Sequence, residues 1–405
     1  MTAGPSLHSQ HRVEQEKPRS RAQRIVYFAP LTLLMTAVLV MSGIGVWAQQ
    51  STKAEAAQLR ETVLAQPSQQ SSLPGTCVSE NFPSYPADIW TGERNAKSEA
   101  AFAEHPDALG MRVEGRAGFD FWGDEQSFNF SQALGRAPWL DDQLAQWLAY
   151  FSDLDEKLSQ EGRDLVVVVA PAKWELYREN LPEWADDLQG MTHLDQFLAR
   201  SGDLPVVDVR GAMQDAKKDA PVYSAVNTHW SPYGAYAAWQ QTVSCAGALY
   251  PDSVWSQLQA PDPEGIEIGT APNEFTPYGN TSTVEDWATP VLPPAGAVQS
   301  TITGPDGASL DGPTDGTVGL LDMPARTESD TGTGRALIMR DSTGEALAPV
   351  WANAFEQTCQ VRHNLDYPEN RPDVVAEAEK CDADTVLYVF TERYFAQFPP
   401  APVSG

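Results

Sequence analysis

The sequence predicts an α/β sandwich of three layers around a mainly parallel sheet, preceded by one transmembrane helix. Three observations carry this. Residues 165–170 (LVVVVA) form a continuous β-branched run stopped by Pro171, as suits a strand buried on both faces. Stretches of helical periodicity separate it from four further strand-like runs, the arrangement that parallel strands joined by crossover helices require. Finally, residues 25–47 run 23 positions without a charge. At about 1.5 Å per residue that is roughly 35 Å, enough to cross a hydrocarbon core of about 30 Å.

Composition sets the outer bounds. A chain of 405 residues, 42% hydrophobic and 20% charged, is a folded protein, which excludes collagen-like, coiled-coil and wholly disordered classes. Twenty-seven Lys and Arg against 55 Asp and Glu leave a net charge of -28, which repels phosphate backbones and excludes nucleic acid as a partner of the folded part. Residues 1–24 are the exception, with Arg12, Lys17, Arg19, Arg21 and Arg24 against Glu14 and Glu16. Basic residues before the apolar run and an acidic chain after it put the tail 1–24 in the cytoplasm and the globular part outside, on the cell membrane. A cleaved signal peptide is the competing reading, although the run exceeds the usual apolar core of such peptides.

The remaining elements follow in chain order. Residues 48–76 read as a stalk and linker, with helical character at 51–65 and a polar, Pro-containing stretch at 66–75. The globular part begins at Cys77 and divides into 77–249, a loop-rich insertion at 250–334, and 335–405. In 139–158, Leu140, Leu144, Trp147, Leu148, Phe151, Leu154 and Leu158 recur at spacings of three and four, a helix with one buried face. Helices are expected again at 192–200, 212–218, 232–248, 345–358 and 372–380, and strands at 205–209, 335–339, 360–364 and 385–390. Residues 250–334 are rich in Pro, Gly, Thr, Ser and Asp without a sustained period, so short strands or long loops are expected there.

The four cysteines lie in the part expected outside the cell, where thiols oxidise. Cys359 and Cys381 flank a strand and the helix after it, and such a helix ends near the strand's start, leaving Cys77 with Cys245. Three pairings are possible, and sequence alone does not choose. No CxxC is present and the histidines are scattered, so neither a metal centre nor a cofactor is expected.

Open parallel sheets bind ligands beyond the carboxyl ends of their strands. The residues there are Lys173 after 165–170, Asp208 within 205–209, Asp341 and Ser342 after 335–339, and Glu392 after 385–390. A serine where a buried strand turns into a helix has an exposed hydroxyl beside free amides, although such a residue also serves as a helix cap. His229 stands in a distinctive segment, Asn227-Thr-His-Trp-Ser-Pro-Tyr-Gly-Ala, on a loop just before a helix. Asn227, two residues earlier, has an amide oxygen able to accept from the second imidazole nitrogen. The bland alternative is that His229 and Trp230 pack the loop onto the domain.

These segments, with the Pro171-Ala-Lys173 turn, Arg340-Asp-Ser-Thr and the late Glu392-Arg-Tyr-Phe, resemble the ordered landmarks of the SGNH-hydrolase-like domain of alginate O-acetyltransferases of the AlgX/AlgJ type. The likeness runs loosely from residue 113 to residue 395. It implies Ser342 as the acyl-accepting nucleophile, His229 as general base and acid, and Asn227 in the place of the orienting aspartate. Lys173, Arg340, Asp341, Trp230 and Glu392 would line or support the site. It also implies a polysaccharide or glycolipid acceptor and a polytopic membrane-bound O-acyltransferase as partner.

The departures fall on the chemistry. Asn227 cannot offset an imidazolium charge, so Asn227→Asp is expected to raise activity if the missing charge limits it; alternatively another carboxylate, Asp208 for one, serves His229. Arg340 replaces the family's glycine, where it either crowds the turn or pairs with Glu392 or Asp341. Three functions follow: an O-acyltransferase acting on a surface glycan, a catalytically weak binding or assembly component of the same fold, and an acetylesterase.

Overall fold

The computed structural model describes Met35 and residues 72–79, 92–136, 139, 141–304 and 307–401. The chain separates into Met1–Gln58, of which Met35 alone is described, and Leu59–Gly405, which holds everything below. The tail, the stalk helix and all of the expected membrane span but Met35 lie outside the described residues. No described helix is long and apolar enough to cross a membrane.

Two short strands, β1 (Arg112–Glu114) and β2 (Asp120–Trp122), form an antiparallel ribbon. Helix α1 (Asp141–Gln160) leads into β3 (Asp164–Ala170), followed by α2 (His193–Arg200), β4 (Val206–Val207) and α3 (Arg210–Ala216). Helix α2 starts where the sequence marks it, with Thr192 and Asp195 forming a reciprocal capping box. Helix α4 (Pro232–Leu249) is capped by Ser231, whose hydroxyl accepts from the Gly234 amide, with Pro232 at its first position. After α4 come β5 (Gly265–Thr270), β6 (Glu285–Val291), β7 (Val298–Thr303), β8 (Ser309–Asp311) and β9 (Ala325–Ser329). The chain closes with β10 (Arg335–Arg340), α5 (Ala348–Ala354), β11 (Gln357–Arg362), α6 (Val374–Cys381) and β12 (Thr385–Thr391).

The main sheet has the order β4-β3-β12-β10-β11-β9-β7-β8. Its first five strands are parallel, as expected, but β9, β7 and β8 extend it antiparallel, so the sheet is mixed. All three added strands come from 250–334, where regular pairing formed without a sequence signal: β8 is exposed throughout, and the buried positions of β7 and β9 are mostly Ala, Ser and Thr rather than large apolar residues. Strands β5 and β6 make a separate antiparallel ribbon.

Alternate residues of the parallel strands enter two cores, which makes the three layers. Leu165, Val167 and Val169 pack with Leu337, Met339, Tyr388 and Phe390 against Trp147, Phe151 and Leu154 of α1. Val166, Val168 and Ala170 pack with Ile338, Leu387 and Val389 against Trp239 of α4 and Trp351 of α5. Each such fully buried aliphatic side chain contributes about 2 kcal/mol.

The helix expected at 345–358 is shorter than its periodicity suggested. A 3-10 turn spans Ser342–Leu347, α5 ends at Ala354, and Gln357 and Thr358 join β11, whose pairing with β10 takes those backbone groups. Both disulfides form with the expected partners: Cys77–Cys245 ties the start of the domain to α4, and Cys359–Cys381 ties β11 to the end of α6.

Candidate active site

Two loops meet at the carboxyl end of the parallel strands. The first leaves β10: Asp341 caps the 3-10 turn, its carboxylate accepting the Thr343 amide at 2.8 Å, and Ser342 is the turn's first residue, half-buried. At that position a backbone N–H has no intrahelical acceptor. The second loop lies between Tyr223 and Trp230, which form an isolated antiparallel bridge that closes residues 224–229 into a compact turn. Gly234 lets this loop sit tight on α4, since a Cβ there would lie 2.5 Å from the Val222 carbonyl oxygen.

The loops are joined twice. The Trp230 indole donates to the Thr343 carbonyl at 2.7 Å, and His229 Nε2 lies 2.9 Å from Ser342 Oγ. Lys173, from the turn after β3, supports the histidine loop from below by donating to the carbonyls of Ser224 (3.2 Å) and Ala225 (2.9 Å). Its ammonium sits among the rings of Phe119, Phe121 and Phe275, and burial pulls its pKa down to about 7.

The second imidazole nitrogen is held by a residue the sequence did not single out. Glu274, from the segment joining β5 to β6, places Oε1 2.6 Å from His229 Nδ1, while its Oε2 accepts from the Thr228 amide (2.8 Å) and hydroxyl (2.5 Å). Burial works against its charge, but the hydrogen bonds and charge of His229 prevail and draw its pKa down to about 2. In turn burial lowers the His229 pKa, whereas Glu274 raises it by more, leaving it above its ordinary value.

Asn227 does reach Nδ1 as expected, but shares it with the nearer Glu274. Its Oδ1 lies 3.2 Å from Nδ1 and accepts the His229 amide at 2.8 Å, and its Nδ2 donates to the Pro272 carbonyl at 2.7 Å. It fastens the histidine loop to the segment that delivers Glu274. Asp208 is unavailable to His229, being paired with Arg210 at 2.9 Å.

Among the described residues Arg340 pairs with no carboxylate, and its guanidinium turns to groups other than Ser342. It is fully buried beneath the turn, donating to Gln360 Oε1 (2.8 Å), the Asp341 carbonyl (2.9 Å) and the Val318 carbonyl (2.5 Å), and burial draws its pKa to about 10. Gly344 leaves it room, because a Cβ there would lie 2.4 Å from Arg340 Cδ. Glu392 is likewise not a lining residue. It accepts the Ala172 amide at 3.0 Å, and burial followed by the neighbouring Glu175 charge pushes its pKa well above the carboxylate range.

Its neighbour Arg393 lines instead a cavity of about 20 Å³, shared with Phe121, Trp122, Asn129, Lys173 and Thr228. That is room for about one water. Trp122, whose indole donates to the Thr228 hydroxyl at 3.0 Å, packs on Phe275 and Tyr278, and Tyr278 is 40% exposed.

A strand-to-turn serine, an imidazole and a carboxylate stand in line at the edge of a doubly covered α/β sheet, the arrangement that nucleophilic serine chemistry requires. The comparisons bear on part of this chain. The model for the SGNH hydrolase-like domain of the acetyltransferase AlgX matches residues 128–266, a span that includes His229 and ends before Glu274 and Ser342. A probable alginate O-acetylase AlgJ of Pseudomonas syringae pv. tomato is 27% identical over 191 residues, covering 41% of this chain and 47% of the relative. That of Pseudomonas putida is 31% identical over 147 residues, 31% of this chain and 37% of the relative. The chain thus matches about half the length or less of these curated relatives. Among solved structures, Bacillus cereus PatB1 superposes with a TM-score of 0.47 at 16% identity, over 64% of this chain and 93% of that one. The O-acetyltransferase domain of Pseudomonas putida AlgJ gives 0.40 at 20% identity, over 70% and 92%. The family match and the curated relatives support the AlgX/AlgJ-type SGNH-hydrolase-like family as the one this domain resembles.

Proposed function

We propose that this chain is a membrane-anchored, extracytoplasmic O-acetyltransferase that carries an acetyl group on Ser342 and passes it to a hydroxyl of a cell-surface polysaccharide or glycolipid. The observation that carries the reading is the continuous line Ser342–His229–Glu274. His229 Nε2 takes the proton of the Ser342 hydroxyl as its oxygen attacks the acyl carbonyl, and Glu274 stabilises the imidazolium that forms. Collapse of the tetrahedral intermediate returns that proton to the leaving group and leaves an ester on Ser342. An acceptor hydroxyl then gives its proton to His229 and attacks the ester, and the same proton restores Ser342. Two disulfides agree with an oxidising compartment. The anchor (25–47), the stalk (48–76) and a polytopic acyltransferase partner that supplies the acyl group belong to the same proposal.

The test uses the full-length protein in detergent. Release of p-nitrophenol from its acetate ester is expected from the wild type and not from Ser342→Ala or His229→Ala, with acetyl transfer to an added oligosaccharide read by mass spectrometry. Hydrolysis without transfer to any glycan points to an esterase. Equal rates in wild type and both variants leave the binding and assembly reading.

A further inference from the structure

Beside Asp341, the residue before Ser342, lies a second histidine facing a carboxylate. His363 is 1% exposed, stacked on Tyr388 and met edge-on by Tyr394 and Phe390. Its Nδ1 accepts the Leu365 amide at 3.1 Å. A ring nitrogen that accepts carries no proton, so in the neutral ring the proton sits on Nε2. Among the described residues Nε2 has no hydrogen-bond partner, and the carboxylate oxygen it faces, 3.8 Å away, is Asp341 Oδ2. A buried donor left in that state is expensive unless it serves a charge.

Asp341 is the residue whose charge matters there. It is 1% exposed, its Oδ1 holds the Thr343 amide, and its Oδ2 accepts the Thr391 hydroxyl at 3.0 Å. Thr391 in turn lies 2.5 Å from the Thr343 hydroxyl, and the Thr343 carbonyl takes the Trp230 indole beside His229. Asp341 thus holds the turn that begins with Ser342 through the Thr343 amide, and the buried Arg393 guanidinium also favours its charge.

We propose that His363 is a positioning residue for the acyl-transfer reaction: its Nε2–H, aimed at Asp341, keeps that carboxylate in the geometry that presents Ser342 to His229. The contact is long at rest and shortens as charge builds on the reacting groups, as hydrogen bonds of a site without substrate commonly do. The inference rests on the Ser342–His229 reading above.

The experiment compares His363→Gln with His363→Asn in the full-length protein. A glutamine amide nitrogen can occupy the place of Nε2 and still donate to Asp341, but cannot accept from Leu365. An asparagine oxygen can occupy the place of Nδ1 and keep the Leu365 contact, but has nothing to offer Asp341. His363→Asn is expected to lower the rate of Ser342 acylation by an acetyl ester about tenfold to a hundredfold, as for loss of a hydrogen bond to a charged group, with KM unchanged. His363→Gln is expected to restore most of that rate even where its melting temperature falls. The opposite order, activity following the Leu365 contact, would assign His363 a purely structural role and overturn the proposal. Nitrogen-15 spectra of the wild type give an independent reading, with an Nδ1-protonated His363 overturning the proposal whether or not the variants fold. Wild-type Ser342 that is not acylated at all, with the expected His363 tautomer in the spectra, is instead a failure of the function proposed above.

Discussion

Replacing Glu274 with glutamine tests the electrostatics of the site most directly. The change keeps size and shape but removes the charge 2.6 Å from His229 Nδ1. In the proposed acyl transfer His229 is an imidazolium in the transition state. Both side chains are only about a quarter exposed, at 29% and 22%, so the pair sits in a partly solvated site. With charge centres about 4 Å apart and an effective dielectric of about 20, the attraction is about 4 kcal/mol. At about 1.4 kcal/mol per tenfold change this predicts a loss of about three powers of ten in kcat/KM, close to the roughly 10⁴-fold effect of the analogous change in a serine protease triad. The assay is p-nitrophenyl acetate turnover, with circular dichroism to confirm folding, because Glu274 also holds Thr228. Asn227→Asp, expected from sequence to help, is now expected to lower activity: it sets a second carboxylate beside Glu274 and loses the bond to Pro272. If Glu274→Gln keeps wild-type turnover and Asn227→Asp exceeds it, the charge argument is wrong and Asn227 is the orienting residue after all.

The pH profile should follow from the same pair: kcat/KM rises as His229 loses its proton, with its inflection above the ordinary value of about 6.5, and Glu274→Gln moves that inflection down. Glu392 has a raised folded-state pKa, so the stability it confers is complete below the usual carboxylate range and is lost as pH rises toward its folded value. Glu392→Gln, which keeps an acceptor for Ala172, should therefore flatten the fall in melting temperature as pH rises above the usual carboxylate range, and an unchanged slope would refute that assignment. Removing the Cys359–Cys381 bridge, 22 residues apart in sequence, by serine substitution at both positions should cost about 3 kcal/mol in denaturant unfolding with the sheet intact.

Most of the doubly covered sheet was legible because a strand buried on both faces must be apolar throughout, as 165–170 is, and because helical spacing repeats in α1 and α4. His229 and Ser342 were legible as candidates because each adjoins a recognisable start signal, His229 just before Ser231-Pro232 and Ser342 just after the Asp341 cap. Arg340 was misjudged because nothing local distinguishes a guanidinium that points at the nucleophile from one folded beneath the turn onto Gln360. The antiparallel strands β7 to β9 were invisible as such. Their sequences do not alternate cleanly, and what holds them is a chain of pairings in which β9 joins β11, β7 joins β9 and β8 joins β7.

Glu274 marks the boundary between what the sequence encodes locally and what the fold decides. Local order in the chain determined the layers, the capped helix behind His229 and the turn that exposes Ser342, because burial and capping are satisfied within a few residues of where they are encoded. Which acid serves His229 was decided by the fold alone. Glu274 reaches Nδ1 only because the ribbon β5–β6 docks through Val226, Asn227 and Asp286, contacts between residues tens of positions apart that leave no periodic trace.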